Sequence, residues 1–222
     1  MKEMHRLMVT SDTYKLASEA DPAIMSANLK ADPQDTYLWR YRVQRLEAEP
    51  VWDSILTAAG TLDLAVGGPS FSISGGGRRG GGGGGGRGAT TAASAVNRRG
   101  AYLTRGFSTN SEVTPNFLQV FDVDDGRAPC PLRTQTVTAP QALFMMNSEE
   151  VESASAKLAE RLQKESAGDL KAAVDLGYRL TFGRPPSGVE RDRALSYIEN
   201  DAARLKGFAW LLYNLDEFIY VR

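Results

Sequence analysis

The sequence predicts a mainly α-helical fold with a small β-hairpin and an antiparallel helical bundle at its C-terminal end. Three observations lead to this prediction. Residues 139–222 carry apolar side chains at helical spacing between recognisable caps. Residues 1–70 contain two further helical patterns, and short runs of β-branched and aromatic residues follow a glycine-rich tract in mid-chain. With 222 residues, the chain can bury one sizeable core or two small ones.

The first segment, residues 1–74, is predicted to be a mixed segment with two helices. Residues 2–14 and residues 42–62 each place apolar side chains at helical spacing. Pro50 either kinks the second pattern or opens a new helix in its first turn. Residues 20–39 contain two Asp-Pro pairs, which favour turns, so this stretch is predicted to be loop.

The middle of the chain is predicted to be a linker followed by short strands. Residues 75–94 form a glycine-rich segment that is expected to be disordered, and residues 95–138 supply strands and a loop that complete the N-terminal lobe. The alternating stretch 69–74 is expected to pair with residues 101–105 in a hairpin across the glycines. Residues 116–123 are predicted to be another strand.

The C-terminal bundle is divided by caps and breakers. Asn147 fits a helix N-cap, and a second helix begins near Asp169. Gly183 is expected to end that helix, because a proline pair follows it. Ser187 and Glu190 then fit a capping box that opens the next helix. The final segment is apolar on most sides and is predicted to be one buried helix.

Composition excludes several classes of function. Lys and Arg total 26 against 27 Asp and Glu, so no overall field attracts the chain to nucleic acid or to an anionic membrane. No apolar run is long enough to span a membrane, and no signal peptide is visible. Cys130 is the single cysteine. It cannot form an internal disulfide or a haem attachment motif, so the chain is predicted to hold no cofactor of its own.

The glycine tract is best interpreted as a spacer. Gly80–Gly86 are consecutive, and a phosphate-binding loop needs phased glycines before a helix rather than a homopolymer. Arg78, Arg79 and Arg87 suggest an Arg-Gly arm for RNA as the rival interpretation. Such arms usually interleave aromatic residues for stacking on bases, and this tract has none. Nucleic-acid binding is therefore the least favoured function.

Candidate catalytic and metal sites are weak. Asp122, Asp124 and Asp125 precede a glycine, but their spacing does not match a calcium loop, so a turn is favoured. His5 is the only histidine, and no motif surrounds it. The sequence therefore predicts no catalytic residue and no metal site.

A candidate binding loop is the best site that the sequence offers. Arginine supplies a forked donor for a carboxylate, and threonine and glutamine supply single hydrogen bonds for hydroxyl groups. The same residues can instead bond the backbone of an irregular loop, and this structural interpretation is favoured. The candidates are Arg133, Thr134, Thr136, Thr138, Gln141 and Arg184.

Several phrases carry a family resemblance that runs through nearly the whole chain. They are "MHRLMVTSDTYKLAS", "LWRYRVQRLEAE", "LDLAVGGPS", "CPLRTQTVTAPQALFMMNS", "YRLTFGRPPSGVER" and "LLYNLDEFIYV". Together they resemble the planctomycete-specific domain of unknown function, of the PSD-one type, which is found C-terminal to planctomycete-type cytochrome c modules. The chain begins inside the domain, at the "MHRL" helix, so the comparison indicates an N-terminally truncated member.

The resemblance implies a setting rather than a reaction. It implies a periplasmic or cell-surface location, with a cytochrome c-type module or a companion domain of the same protein as partner. It supplies no catalytic residues. The first hypothesis is a non-catalytic accessory domain of a larger exported cytochrome c-associated protein. Alternatives are part of a hydrolase-like enzyme whose site needs the missing N-terminal portion, and nucleic-acid binding through the Arg-Gly tract.

Overall fold

The computed structural model describes residues 1–71, 97–104, 107–108, 111–112, 116–123, 133, 135–199, 201 and 203–221. Within them the chain divides into two compact units, Met1–Leu46 with Ile219–Arg222, and Glu47–Phe218. The predicted linker at 75–94 lies outside the described residues, as do Asp124, Asp125, Cys130 and Thr134.

The described elements are mostly helices. In chain order they are α1 (Lys2–Thr10), α2 (Pro22–Ala31), β1 (Gln44–Arg45), α3 (Ala48–Ala59), a 3-10 turn (Gly100–Tyr102), β2 (Phe107–Ser108), β3 (Ser111–Glu112), α4 (Asn116–Val120), α5 (Ala139–Asn147), α6 (Glu149–Glu165), α7 (Leu170–Phe182), α8 (Gly188–Ile198), α9 (Arg204–Tyr213), α10 (Asp216–Ile219) and β4 (Tyr220–Val221). A mainly α fold with a small β-hairpin, formed by β2 and β3, is confirmed.

The unit Met1–Leu46 contains a helix that the sequence interpretation missed. Residues 20–39 are not all loop, because α2 occupies Pro22–Ala31. The Asp21 carboxylate accepts a hydrogen bond from the Ala23 N–H at 2.9 Å, and Pro22 takes the first helical position. Asp-Pro here is an N-cap followed by its favoured neighbour rather than a turn. In the same unit, β1 and β4 pair antiparallel.

The core of the unit Glu47–Phe218 is apolar and centres on α6. This helix packs against α3, α7 and α9. The fully buried side chains include Val51, Val151, Leu158, Leu162, Val174, Leu205 and Leu212. Gly177 brings α7 close to α9, because an added Cβ would lie only 3.0 Å from Leu212 Cδ1 and 3.1 Å from Phe208 Cε1.

Most predicted helix ends in the bundle are correct. Asp169 caps α7, Gly183 ends it with φ 72°, and Ser187 forms the predicted capping box with Glu190. The N-cap of α6 is Ser148 rather than Asn147, which is the last residue of α5. The predicted single final helix is two helices, α9 and α10. Local caps were readable because their partners lie within one turn.

Two strand predictions are wrong. Residues 116–120 form α4, since a short apolar run carries no periodicity that separates strand from helix. The predicted antiparallel pairing of residues 69–74 with 101–105 is wrong at its described pair. Phe71 and Leu103 form a parallel bridge, with the Phe71 N–H donating to the Tyr102 carbonyl at 3.0 Å. The intervening segment is long enough for the crossover that a parallel pair requires.

Candidate functional site

Arg133 is held at the start of α3. Its guanidinium donates to Glu49 Oε2 at 2.6 Å and to Glu49 Oε1 at 2.9 Å, and also to Glu47 Oε2 at 2.9 Å. This forked arrangement is the geometry that arginine offers to a carboxylate. The carboxylates come from the protein itself, so Arg133 fastens its loop to α3.

Thr136, Thr138 and Gln141 come together around Asp122. The Thr136 N–H and hydroxyl donate to the two Asp122 carboxylate oxygens at 2.9 and 2.6 Å. The buried Gln141 amide donates to the Val120 carbonyl at 3.0 Å, and its oxygen accepts the Thr138 N–H at 3.2 Å. Thr138 and Gln141 thereby cap α5. Asp122 has φ 64°, which aspartate tolerates better than most residues.

Arg184 lies in a separate cluster after α7. Its guanidinium donates to Glu190 at 2.8 and 3.0 Å and to Glu217 at 2.6 Å through each of two nitrogens. It also lies 5.5 Å from the Tyr178 ring centroid. The hydrogen bonds that Arg184 donates lower the pKa of Glu190 to about 2, and those that it donates to Glu217 and Glu190 raise its own pKa.

The predicted site residues therefore occupy three clusters. Arg133 pairs at α3, the residues around Asp122 cap α5, and Arg184 joins α8 to α10. Each described member bonds groups of the chain itself, which agrees with the structural interpretation. A ligand-binding role for these residues stays a prediction, and Thr134 lies outside the described residues.

A groove lies at the other end of α5. It measures about 430 Å³ and runs between the end of α5, the first turn of α6 and one side of α9. The half-buried Trp210 lies in it and donates its indole N–H to the Met146 carbonyl at 3.3 Å. Lys206 Nζ lies 2.7 Å from Glu152 Oε1, and this hydrogen bond lowers the pKa of Glu152. The two charges of the described lining thus neutralise each other.

Exposed apolar side chains lie on two of the helices that line the groove, and one of them, Met146, lines it. Leu143 and Met146 are 56% and 49% exposed and lie one turn apart on α5, while Leu211, beside Trp210 on α9, is 43% exposed. Sequence reasoning missed this surface because it assigned the final helix to the core. The available signal was Gly207, a poor helix former three residues before Trp210. An added Cβ there would overlap Tyr197 Oη.

The other features considered in the sequence are His5, metal sites and membrane spans. His5 lies exposed on α1. Among the described residues, no group of three His, Cys, Asp or Glu side chains is placed to hold a metal ion. The helices of the described part also fall short of the length and apolarity needed to cross a membrane.

Comparison with known families assigns the chain to a family. The model of PSD1, a protein of unknown function (DUF1553), matches residues 1–198. The chain belongs to the PSD1 family. The PSD1 match includes the candidate binding residues and α5, and it ends before α9 and Trp210. No curated protein and no solved structure matches the chain.

Proposed function

We propose that this PSD1 chain is a non-catalytic accessory domain that binds another module of a larger, exported, cytochrome c-associated protein. The partner is a cytochrome c-type module or a companion domain of that protein. The sequence resemblance supplies this setting, and the groove beside Trp210 is the observation that carries a binding role.

The composition of the groove suits a protein surface better than a charged small molecule. Its Lys206–Glu152 pair is internally neutral, and the partly exposed Met146 lines the groove together with the half-buried Trp210. Aromatic and apolar centres with a polar margin are typical of protein–protein interfaces, where tryptophan is enriched among the residues that dominate binding energy. Leu143, Met146 and Leu211 would extend the contact along α5 and α9.

The candidate binding loop supports a non-catalytic role. Arg133 and Arg184 each face two carboxylates of the chain, and Asp122 accepts bonds from Thr136. A general base or nucleophile needs a group free to exchange protons with a substrate. These contacts supply architecture, and those of Asp122 lie at the start of α5, the helix that carries Leu143 and Met146.

The test is a binding measurement between the full chain and separately purified modules. A haem c-type module and a companion domain, taken from a PSD1 protein that carries them, are titrated by calorimetry. We expect one of them to bind, and we expect Leu143→Asp and Trp210→Ala each to weaken binding about 10-fold or more.

Val189→Asp is the matched control. Val189 is an apolar residue, 61% exposed on α8, and it lies outside the groove. Its substitution adds the same charge as Leu143→Asp without touching the proposed contact, so affinity should not change. Equal weakening by both aspartates, or no complex between the wild-type chain and either module, would overturn the proposal.

A further inference from the structure

A second cavity lies within the unit Met1–Leu46 and is independent of the groove at Trp210. It measures about 740 Å³ and lies along the segment 33–42. Pockets of this size accommodate small molecules or the end of a peptide. Two arginines and one aspartate are its charged lining residues among those the structure describes.

Two aspartate side chains accept hydrogen bonds from the backbone around this cavity. Asp32 Oδ2 accepts the Tyr37 N–H at 2.9 Å, and this bond is the main cause that lowers the pKa of Asp32. Asp35 Oδ1 accepts the Trp39 N–H at 3.0 Å. Asp35 and Leu38 have φ 52° and φ 54°. Left-handed backbone is strained for leucine, and such strain clusters at binding sites.

Arg42 is already neutralised. Its Nε donates to Asp35 Oδ2 at 3.2 Å, and its guanidinium also donates to the carbonyls of Gln34 and Asp35. Asp35 is only 2% exposed, so this pair is fixed on its acidic side. Arg42 and Asp35 together contribute no net charge to the cavity.

Among the described charged residues that line the cavity, Arg40 carries the remaining positive charge. Its guanidinium stacks 4.9 Å from the Trp39 ring centroid. Its Nε is buried, and no acceptor of the described chain lies within hydrogen-bond distance of it. An unpaired buried donor is unfavourable, because it has lost its hydrogen bonds to water without gaining a partner in the described chain.

We infer that Arg40, whose guanidinium lies over the Trp39 ring, is the anchor of a binding site for a single carboxylate. The forked guanidinium matches the two oxygens of a carboxylate. The charge of the lining is +1, from Arg40 and Arg42 against Asp35, which suits a monoanion rather than a phosphate dianion. The volume allows the carboxylate to belong to an organic acid or to an acidic residue of a peptide.

The experiment titrates the full chain with matched probes at constant ionic strength. The probes are acetate, inorganic phosphate, acetyl-Ala-Glu-Ala-amide and its neutral isostere acetyl-Ala-Gln-Ala-amide. Binding is followed by calorimetry and by amide NMR shifts of residues 34–42. We expect the glutamate peptide to bind and the glutamine peptide not to bind. Acetate binding as well as the peptide identifies a free carboxylate as sufficient, whereas binding of the peptide alone assigns the site to peptide-borne acids.

Arg40→Met and Arg40→Lys separate binding from folding. Methionine keeps the apolar stem without the unpaired donor, so we expect affinity to fall about 10- to 100-fold while the unfolding midpoint stays the same or rises. Lysine keeps the charge without the fork, so we expect an intermediate loss. Arg193→Met, at an exposed position on α8, is the control and should change neither.

Three results would overturn the inference. One is binding of neither acetate nor the glutamate peptide up to about 10 mM, a concentration that would detect even a millimolar site. Another is unchanged carboxylate affinity in Arg40→Met. Stronger binding of phosphate than of both carboxylates would also contradict the assignment, because a single uncompensated guanidinium favours a monoanion.

Discussion

Helix α6 in the unit Glu47–Phe218 buries Val151, Leu158 and Leu162, whereas α1 in the unit Met1–Leu46 has no buried residue among its nine. Both helices are amphipathic in sequence. In the larger unit the apolar side of α6 packs against neighbouring helices, and this packing fixes the position of the helix. In the smaller unit, backbone N–H groups donate hydrogen bonds to Asp32 and Asp35, and these bonds define the local geometry. Periodicity alone therefore does not reveal whether a helix contributes to a core.

The largest test of this comparison is a pair of leucine truncations. Leu158 on α6 is fully buried, and Leu7 on α1 is 68% exposed. Leu158→Ala removes packed methyl groups and leaves a cavity, so the free energy of unfolding should fall by about 3–4 kcal/mol. Leu7→Ala should change it by less than about 0.5 kcal/mol. Urea unfolding followed by circular dichroism measures both, and equal losses would show that α1 is packed.

A finer version of the comparison uses two glycines of the larger unit. An alanine Cβ at Gly100 would lie 2.8 Å from the Glu49 Cα, and the Gly100 N–H also donates to Asp53 Oδ1 at 2.5 Å. Gly100→Ala should therefore separate the 3-10 turn from α3 and destabilise the protein by about 2 kcal/mol.

Gly188 is the matched control for Gly100. No atom of the described residues lies within 4 Å of its added Cβ, and it occupies the first position of α8. Gly188→Ala should be neutral or stabilising by about 0.5 kcal/mol, since alanine lowers the entropy of the unfolded chain. Thermal unfolding of the two variants ranks them, and a stable Gly100→Ala protein would contradict the close approach to α3.

Predictability followed the distance between partners in the sequence. Ser187 with Glu190 and Asp169 with its helix were predicted because cap and acceptor lie within one turn. Arg133 was recognised as a forked donor, but its partner Glu49 lies 84 residues away, and no local pattern points to it. The fold class was accessible from periodicity, whereas the pairing of each polar side chain depended on tertiary contacts.

The two surfaces proposed for binding were missed for different physical reasons. Trp210 lies in an apolar helix, and apolar periodicity cannot distinguish a core residue from one that lines a groove. Arg40 directly follows the stretch 20–39, which was interpreted as loop because of its Asp-Pro pairs. Arg40 matters because Asp35 pairs with Arg42 instead. In the sequence, Arg40 and Arg42 stand at alternate positions and look equivalent.

Polar contacts also contribute to the stability of the larger unit. The pH dependence of unfolding tests the size of this contribution at Glu190. Its pKa is lowered to about 2, chiefly by hydrogen bonds from Arg184. A lowered folded-state pKa means that the stabilisation is present above the unfolded value near 4.5 and is lost as pH falls toward 2. Because both side chains are about one-third exposed, we expect the loss to be about 1 kcal/mol.

Glu190→Gln isolates this contribution. Glutamine retains the acceptor of the capping box but lacks the ionisable group, so the variant should be less stable at neutral pH and less sensitive to acid than the wild type. Urea unfolding is measured at neutral pH and at points down to the acid limit. Glu152→Gln, which breaks the exposed pair with Lys206, is the control and should show a smaller change. Parallel pH profiles for wild type and Glu190→Gln would contradict the predicted role.

The smallest expected effect concerns the glycine-rich segment, which the sequence predicts to contribute neither packing nor polar bonds. Deletion of residues 75–88 removes Arg78, Arg79 and Arg87 with the glycine run. Shortening a flexible connection changes closure entropy only slowly with length, so the free energy of unfolding should change by less than about 0.6 kcal/mol.

Fluorescence anisotropy with single-stranded poly-uridine RNA, measured on the wild type and on the deletion variant, tests the rival role of the tract in nucleic-acid binding. An Arg-Gly arm would give salt-dependent binding that the deletion abolishes. We expect no such difference, because three arginines without interleaved aromatic residues offer few phosphate contacts and no stacking on bases.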